Sequence, residues 1–231
     1  MSDYAQTFLE IVNHTIRKHP ELAEHVERVA ATAQGKGPGN ARFDEVAAWE
    51  KRQFSAPSPH FIKQTVLLRN GLPDCTWVET GTYLGDTTNV LSKVAKMVYS
   101  IEPEPSLFAA ARNKFATTAN VEIINGISEA VFPGLLPKLS GDICFWLDGH
   151  YSAGVTYQGP QDTPIADELA IVAQNLGNFG KTVVMVDDIR CFDPSIPEYA
   201  NYPTLDFLVD WARANHCKWH IEQDIFIARK P

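Results

Sequence analysis

The sequence predicts an α/β fold: a doubly wound sheet of seven strands, five parallel and two in a terminal antiparallel hairpin, behind an N-terminal helical segment. Three observations predict it. From Asp74 onward, short β-rich runs alternate with helical stretches, and parallel neighbours need helical crossovers. Before that point the apolar spacing is helical. After the last strand–helix unit, two alternating runs meet at the polar turn Glu222–Gln223–Asp224, the pattern of a hairpin.

The elements follow in order. Phe8, Leu9, Ile11, Val12 and Ile16 recur at helical spacing, and a second short stretch (Leu22, Val26, Val29) follows Pro20. GKGPGN (35–40) breaks the chain, FDEVAAWEKRQF reads as a helix, SAPSPH as an extended turn, and Phe61–Leu68 as a helix ending at Gly71. Then come CTWVET and a helix over 86–96; MVYSIE and EPSLFAAARNKFA; VEIIN and a short helix near Ser128–Phe132. DICFWLD, a long loop and PIADELAIVAQNL follow, then TVVMVDD, a loop and TLDFLVDWARAN. The expected division is a helical cap or dimerisation segment over 1–72 and a catalytic-type α/β domain over 73–231.

Composition narrows the class. A chain of 231 residues hides roughly 70% of its unfolded surface, so neither a disulfide nor a metal is needed merely to fold. A net charge of −8 argues against general nucleic-acid or anionic-membrane binding, which needs clustered Lys and Arg. Cys75, Cys144, Cys191 and Cys217 form no C-x-x-C pair and read as free thiols in a reducing cytoplasm. No run of about 18 apolar residues offers a membrane span. The expectation is a cytoplasmic protein with a small-molecule substrate and a possible homodimer through the N-terminal helices.

The chemistry-bearing residues cluster at strand ends. WVETGTYLGDTT turns through Gly81 and Gly85 into a helix, letting backbone pass close to a ligand. Glu79 just before the turn would repel a pyrophosphate and suits a cationic or amine-bearing group. The spacing is not G-x-G-x-x-G. Glu102 ends the second strand, where an acidic residue accepts both ribose hydroxyls of a nucleoside. The third strand leads into NGIS (125–128), within reach of an adenine edge.

ICFWLDGH and VVMVDDIR deliver Asp148, Asp187 and Asp188 to the ends of the fourth and fifth strands, where ligands of parallel α/β sheets bind. Converging carboxylates need a cation or protons, and oxygen ligands select Mg²⁺, Ca²⁺ or Mn²⁺. Caps on the following turns are the plainer role for the same aspartates. His150 follows Asp148 with a pKa suited to a general base. The loop YSAGVTYQGPQDTP suits a lid, with Tyr151 and Ser152 as candidate substrate contacts. Arg190 stands ready to grip a substrate anion or to pair with Asp193.

E-T-G-T-x-x-G, Glu102 and the terminal hairpin together resemble the class I S-adenosylmethionine-dependent methyltransferases, over residues 60–229. Within that Rossmann-like family, LDGH and VDDI look most similar to the metal-dependent macrocin- and novobiocin-type sugar O-methyltransferases. The resemblance implies that Glu79 and Gly81 line the methionine end of the donor, Glu102 its ribose and Ser128 its adenine. Thr80, Thr82, Tyr83, Gly85, Thr87, Pro103, Gly126 and Asp148 complete that set. It implies further that Asp148, Asp187 and Asp188 hold Mg²⁺. His150 stands where that group carries an acidic base, and Tyr151 where catechol-type enzymes carry a lysine. The expected function is O-methylation of a sugar or glycosylated natural product, with Asp148 and His150 catalytic. A metal-independent transferase using His150, and a non-catalytic or hydroxylase-like protein on the same scaffold, remain as alternatives.

Overall fold

The computed structural model describes Arg17, residues 41–149 and residues 163–231. The chain divides into two compact units, Met1–Gly71 and Leu72–Pro231. In the first, helices α1 (Ala41–Lys51) and α2 (His60–Asn70) meet where Trp49, Phe61 and Ile62 pack with Val46 and Phe54. The Trp49 indole donates to the Ser55 carbonyl at 3.0 Å, and its ring meets Phe54 edge-on with centroids 5.1 Å apart. Burying large rings with their polar edge satisfied stabilises such a corner.

The second unit runs β1 (Thr76–Thr80), α3 (Asp86–Leu91), β2 (Met97–Glu102), α4 (Pro105–Lys114), β3 (Val121–Asn125), α5 (Ser128–Leu135), β4 (Gly141–Leu147), α6 (Ile165–Asn175), β5 (Phe179–Val186), α7 (Leu205–Ala214), β6 (Lys218–Glu222) and β7 (Ile225–Lys230). Its seven strands lie in the order β3-β2-β1-β4-β5-β7-β6. The first five are parallel and β7 inserts antiparallel between β5 and β6. This is the expected Rossmann-like sheet with its terminal hairpin. No helix among the described residues is long and apolar enough to cross a membrane.

The sheet centre explains the uninterrupted apolar runs. Every residue from Ile143 to Leu147 is buried, because β4 is covered on both faces. Ile143, Phe145 and Leu147 share one core with Val184 and Val186 of β5, Phe132 of α5, Leu169 and Val172 of α6, and Leu208 of α7. The Trp211 indole donates to the Leu169 carbonyl at 2.9 Å, tying α7 to α6. All four cysteines are free; the Cys75 and Cys144 sulfurs lie 3.5 Å apart in a thiol contact.

Two differences from the sequence expectation have local causes. The helix after β1 stops at Leu91 rather than continuing to Lys96. Ser92 Oγ donates to the Asn89 carbonyl, and Asn120 Nδ2 donates to the carbonyls of Ser92 and Ala95 at 2.9 Å, so side chains replace the next helical turn. The hairpin turn contains only Gln223 and Asp224, with φ of 48° and 68°, a type I′ conformation that usually takes glycine or asparagine.

The strand order reverses between β1 and β4, and this is where an open parallel sheet forms its crevice. The tips of these strands are in close contact. Asp148 N–H donates to the Thr80 carbonyl at 3.3 Å, and Gly81, at φ +84°, brings its Cα so near that an added Cβ would stand 2.5 Å from the Asp148 carbonyl oxygen. Gly81→Ala therefore combines a disfavoured φ with a backbone clash, and should lower stability by about 1–3 kcal/mol. A urea midpoint equal to wild type would contradict this reading of the junction.

Candidate functional site

Glu79 is wholly buried one residue before the end of β1. Its Oε2 accepts from Thr88 Oγ at 2.5 Å and from Ser100 Oγ at 2.6 Å, while its Oε1 has no hydrogen-bond partner. Thr82 and Ser100 hydroxyls lie 2.6 Å apart; because Ser100 donates to Glu79, Thr82 is the donor in that pair. Burial pushes the Glu79 carboxyl up to about 7; the two hydroxyls offset this in part, and the charges of Asp148 and Glu102 add to it.

Glu102 ends β2 and is clasped by backbone. Its Oε2 accepts from Tyr83 N–H at 2.8 Å and its Oε1 from Glu104 N–H at 3.0 Å. One donor thus comes from the glycine loop and the other from the entry to α4. Burial raises the pKa of this carboxyl against those two donors. The loop carries Tyr83 at φ 50° and about half exposed, then Gly85 at φ +71° packed on the Phe115 ring. Thr87 is buried in α3. The carbonyls of Glu102 and Pro103 accept from Asn125 Nδ2, and Gly126 N–H donates to the Glu102 carbonyl at 3.2 Å, so the tips of β2 and β3 are knitted together.

A residue missed in the sequence reading joins this group. Glu168 on α6 is buried, with Oε1 unpartnered. Burial pushes its carboxyl up to about 7, opposed by the Ser128 and Thr80 hydroxyls and assisted by the charges of Glu129 and Asp148. Thr80 Oγ also accepts from Asp148 N–H at 3.2 Å, and a Cβ on Gly149 would stand 3.5 Å from Glu168 Oε1. The signal was present: Glu168 sits at the second position of an i, i+3, i+4, i+7 stripe with Ile165, Leu169 and Val172, all buried. Ser128, assigned by resemblance to an adenine contact, is buried at the start of α5 with its hydroxyl 3.2 Å from Glu129 Oε2.

The acidic pair after β5 departs from expectation. Asp187 Oδ1 accepts from Asp188 N–H at 2.8 Å. Asp188 adopts the left-handed conformation, φ 54° and ψ 45°, and its carboxylate is taken by both terminal nitrogens of Arg190. Arg190 also pairs with Asp224 through its side chain, and its backbone N–H donates to Asp224 Oδ1 at 2.9 Å. So Arg190 pairs not with Asp193 but with Asp188 and Asp224. Asp193 instead accepts from Ser195 at 2.6 Å. The salt bridge also explains the glycine-free hairpin turn: Asp224 tolerates its backbone conformation and uses its side chain as the anchor.

Metal binding fits this donor set poorly. Among the described residues no group of three His, Cys, Asp or Glu side chains is placed to hold an ion. Asp188 is turned toward a guanidinium, so the expected Mg²⁺ site of Asp148, Asp187 and Asp188 finds no support in this donor set. His150, Tyr151, Ser152 and the expected lid lie outside the described residues.

No protein-family model matches the chain, and no curated protein matches its sequence. In structure it is similar to the N-methyltransferase NodS from Bradyrhizobium japonicum WM9, at 12% identity and TM-score 0.49 over 73% of this chain and 93% of that one. It is also similar to a SAM-dependent methyltransferase from Aquifex aeolicus, at 15% identity and TM-score 0.45 over 72% and 87%. A third is the fibrillarin pre-rRNA processing protein of Methanococcus jannaschii, at 16% identity and TM-score 0.46 over 72% and 73%. Likeness at this level concerns the fold.

The raised carboxyls of Glu79 and Glu168 set a pH dependence of stability. The folded protein holds protons on Glu79 and Glu168 up to about pH 7, whereas an unfolded carboxyl releases its proton near 4.3. In that window the folded state binds more protons, so stability falls as pH rises. Glu79→Gln and Glu168→Gln should each flatten the decline between about pH 4.5 and 7, read from denaturant midpoints. Slopes identical to wild type would contradict the assignment.

Proposed function

We propose that the protein is an S-adenosylmethionine-dependent O-methyltransferase acting on a hydroxyl of a small molecule such as a sugar or glycosylated natural product. The observation that supports this most is Glu102: a strand-two carboxylate beside the switch point, oriented by N–H groups of Tyr83 and Glu104, with a second lone pair on each oxygen left for the two hydroxyls of a ribose. Glu79 adds a buried carboxylate with one unpartnered oxygen, suited to the amine or sulfonium end of the donor.

When bound, the donor supplies an electrophilic methyl group on a positively charged sulfur. The residues of the chain hold, orient and take up a proton. Glu102 fixes the ribose, the Gly81 turn lets backbone approach, and the carboxylates of Glu79 and Asp148 favour positive charge near the β1 tip. His150, two residues beyond Asp148 in sequence, is the base that removes the acceptor proton. Positioning supplies much of the rate in an in-line displacement. No step is routed through a divalent cation, because Asp188 is engaged by Arg190. A small acceptor suits the net charge of −8 better than a polyanionic one does.

Calorimetry with S-adenosylmethionine and S-adenosylhomocysteine tests the reading. Both should bind the wild-type protein, and Glu102→Ala should weaken both by roughly 10- to 100-fold, the value of charge-assisted hydrogen bonds to two hydroxyls. Transfer of labelled methyl to hydroxylated acceptors should continue in excess chelator and be lost in His150→Ala. Absence of binding at millimolar donor would overturn the proposal.

A further inference from the structure

β6 is one edge of the sheet, and it concentrates exposed apolar surface. Trp219 is 39% exposed and Ile221 42%, two residues apart on one face of the strand. Trp219 stacks on Phe226 at 5.7 Å, so its inner face is covered and its outer face is presented to solvent. Edge strands are ordinarily blunted by proline, a bulge or inward-pointing charge. β6 has no proline, and it pairs with β7 in unbroken register from Lys218–Arg229 to Glu222–Ile225. On the opposite face that register sets Lys218 directly across from Arg229, a like-charge pair of the kind that weakens a ladder.

We propose that β6 is a homodimer surface that pairs antiparallel with β6 of a second copy, about a two-fold axis at His220. The strand reads KWHIE, and under this pairing it is complementary to itself. Lys218 of each copy falls opposite Glu222 of the other, Trp219 falls opposite Ile221, and His220 faces its counterpart. Two ion pairs flank two aromatic–aliphatic pairs, combinations that stabilise cross-strand contacts. The carboxylate from the second copy also meets the lysine that the single chain sets against Arg229.

Alternative registers lose these matches. A one-residue slip sets Lys218 opposite Ile221 and breaks both ion pairs, while an in-register parallel pairing sets lysine on lysine and glutamate on glutamate. The two-fold, self-complementary arrangement is also the commonest symmetry of soluble dimers. It joins the two sheets into one continuous sheet, removes this unpaired edge, and covers Trp219 and Ile221 together. The surface differs from the N-terminal helices expected from sequence, and it stands independently of the methyltransferase reading.

Charge reversal tests the register. In analytical ultracentrifugation over ~1–100 μM, wild type should shift from the mass of the 25.7 kDa chain to twice that mass. K218E and E222K should each weaken dimerisation by roughly tenfold or more, since each creates two like-charge contacts. The double variant K218E/E222K should recover the wild-type dimer. A mixture of the two single variants should form a heterodimer, because one copy then has two acidic strand ends and the other two basic ones. Recovery also shows that the single variants are folded. Wild type remaining monomeric at 100 μM, single variants that dimerise normally, or a double variant and mixture that both stay monomeric would overturn the proposal.

Discussion

A carboxylate taken wholly out of water at the end of a central strand is the constraint around which the rest of this site is organised. Glu79 has hydroxyl partners on one oxygen and nothing on the other. Burying such a group costs several kcal/mol when it is ionised without compensation, so near-neutral protonation is the way the fold accommodates it. Its partners come from three places in the sequence. Thr88 lies on the first helix of the sheet domain, Ser100 lies in β2 and is braced by Thr82, and the nearby charge of Asp148 comes from the β4 tip. Glu168 repeats the device from α6, with Thr80 and Ser128 as its hydroxyls. A natural protein that keeps two half-satisfied carboxyls, one at the β1 tip and one on α6, carries a strain that a ligand with positive charge would relieve.

The strand ends divide into two kinds. Around β5 and the terminal hairpin, charge is fully consumed: Arg190 joins Asp188 and Asp224, and the carbonyl of Asp224 accepts from Ile189 N–H. That network explains a left-handed aspartate and a hairpin turn without glycine, and it holds the inserted antiparallel strand against the parallel sheet. At the β1 tip one oxygen of Glu79 has no hydrogen-bond partner among the described residues. The contrast separates acidic residues paired within the fold from one left half-satisfied, although both occupy strand tips that look alike in sequence.

Much of the architecture was legible because its signals are local. Alternating strand and helix patterns, the buried run of β4 and the polar hairpin turn each rest on residues adjacent in the chain. The early end of α3 was not legible, because the Asn120 side chain that ends it arrives from a later loop. The placement of Glu79, Glu102 and Asp148 at or just beyond strand ends was readable from the turns that follow them. The fate of Asp188 was not, since it depends on its own left-handed backbone and on an arginine that also reaches the hairpin. Glu168 was overlooked because it lies mid-helix rather than in a loop, and only its position in an apolar stripe betrays it.

If the raised carboxyls exist to meet a cationic ligand, binding must change their protonation. Titration calorimetry with S-adenosylmethionine near pH 6.5, in two buffers of different ionisation enthalpy, measures the protons exchanged. A fraction of a proton should be released per donor bound, because a nearby positive charge lowers the Glu79 pKa from about 7, and Glu79→Gln should remove most of that release. Tight binding with the same observed heat in both buffers would contradict this reading.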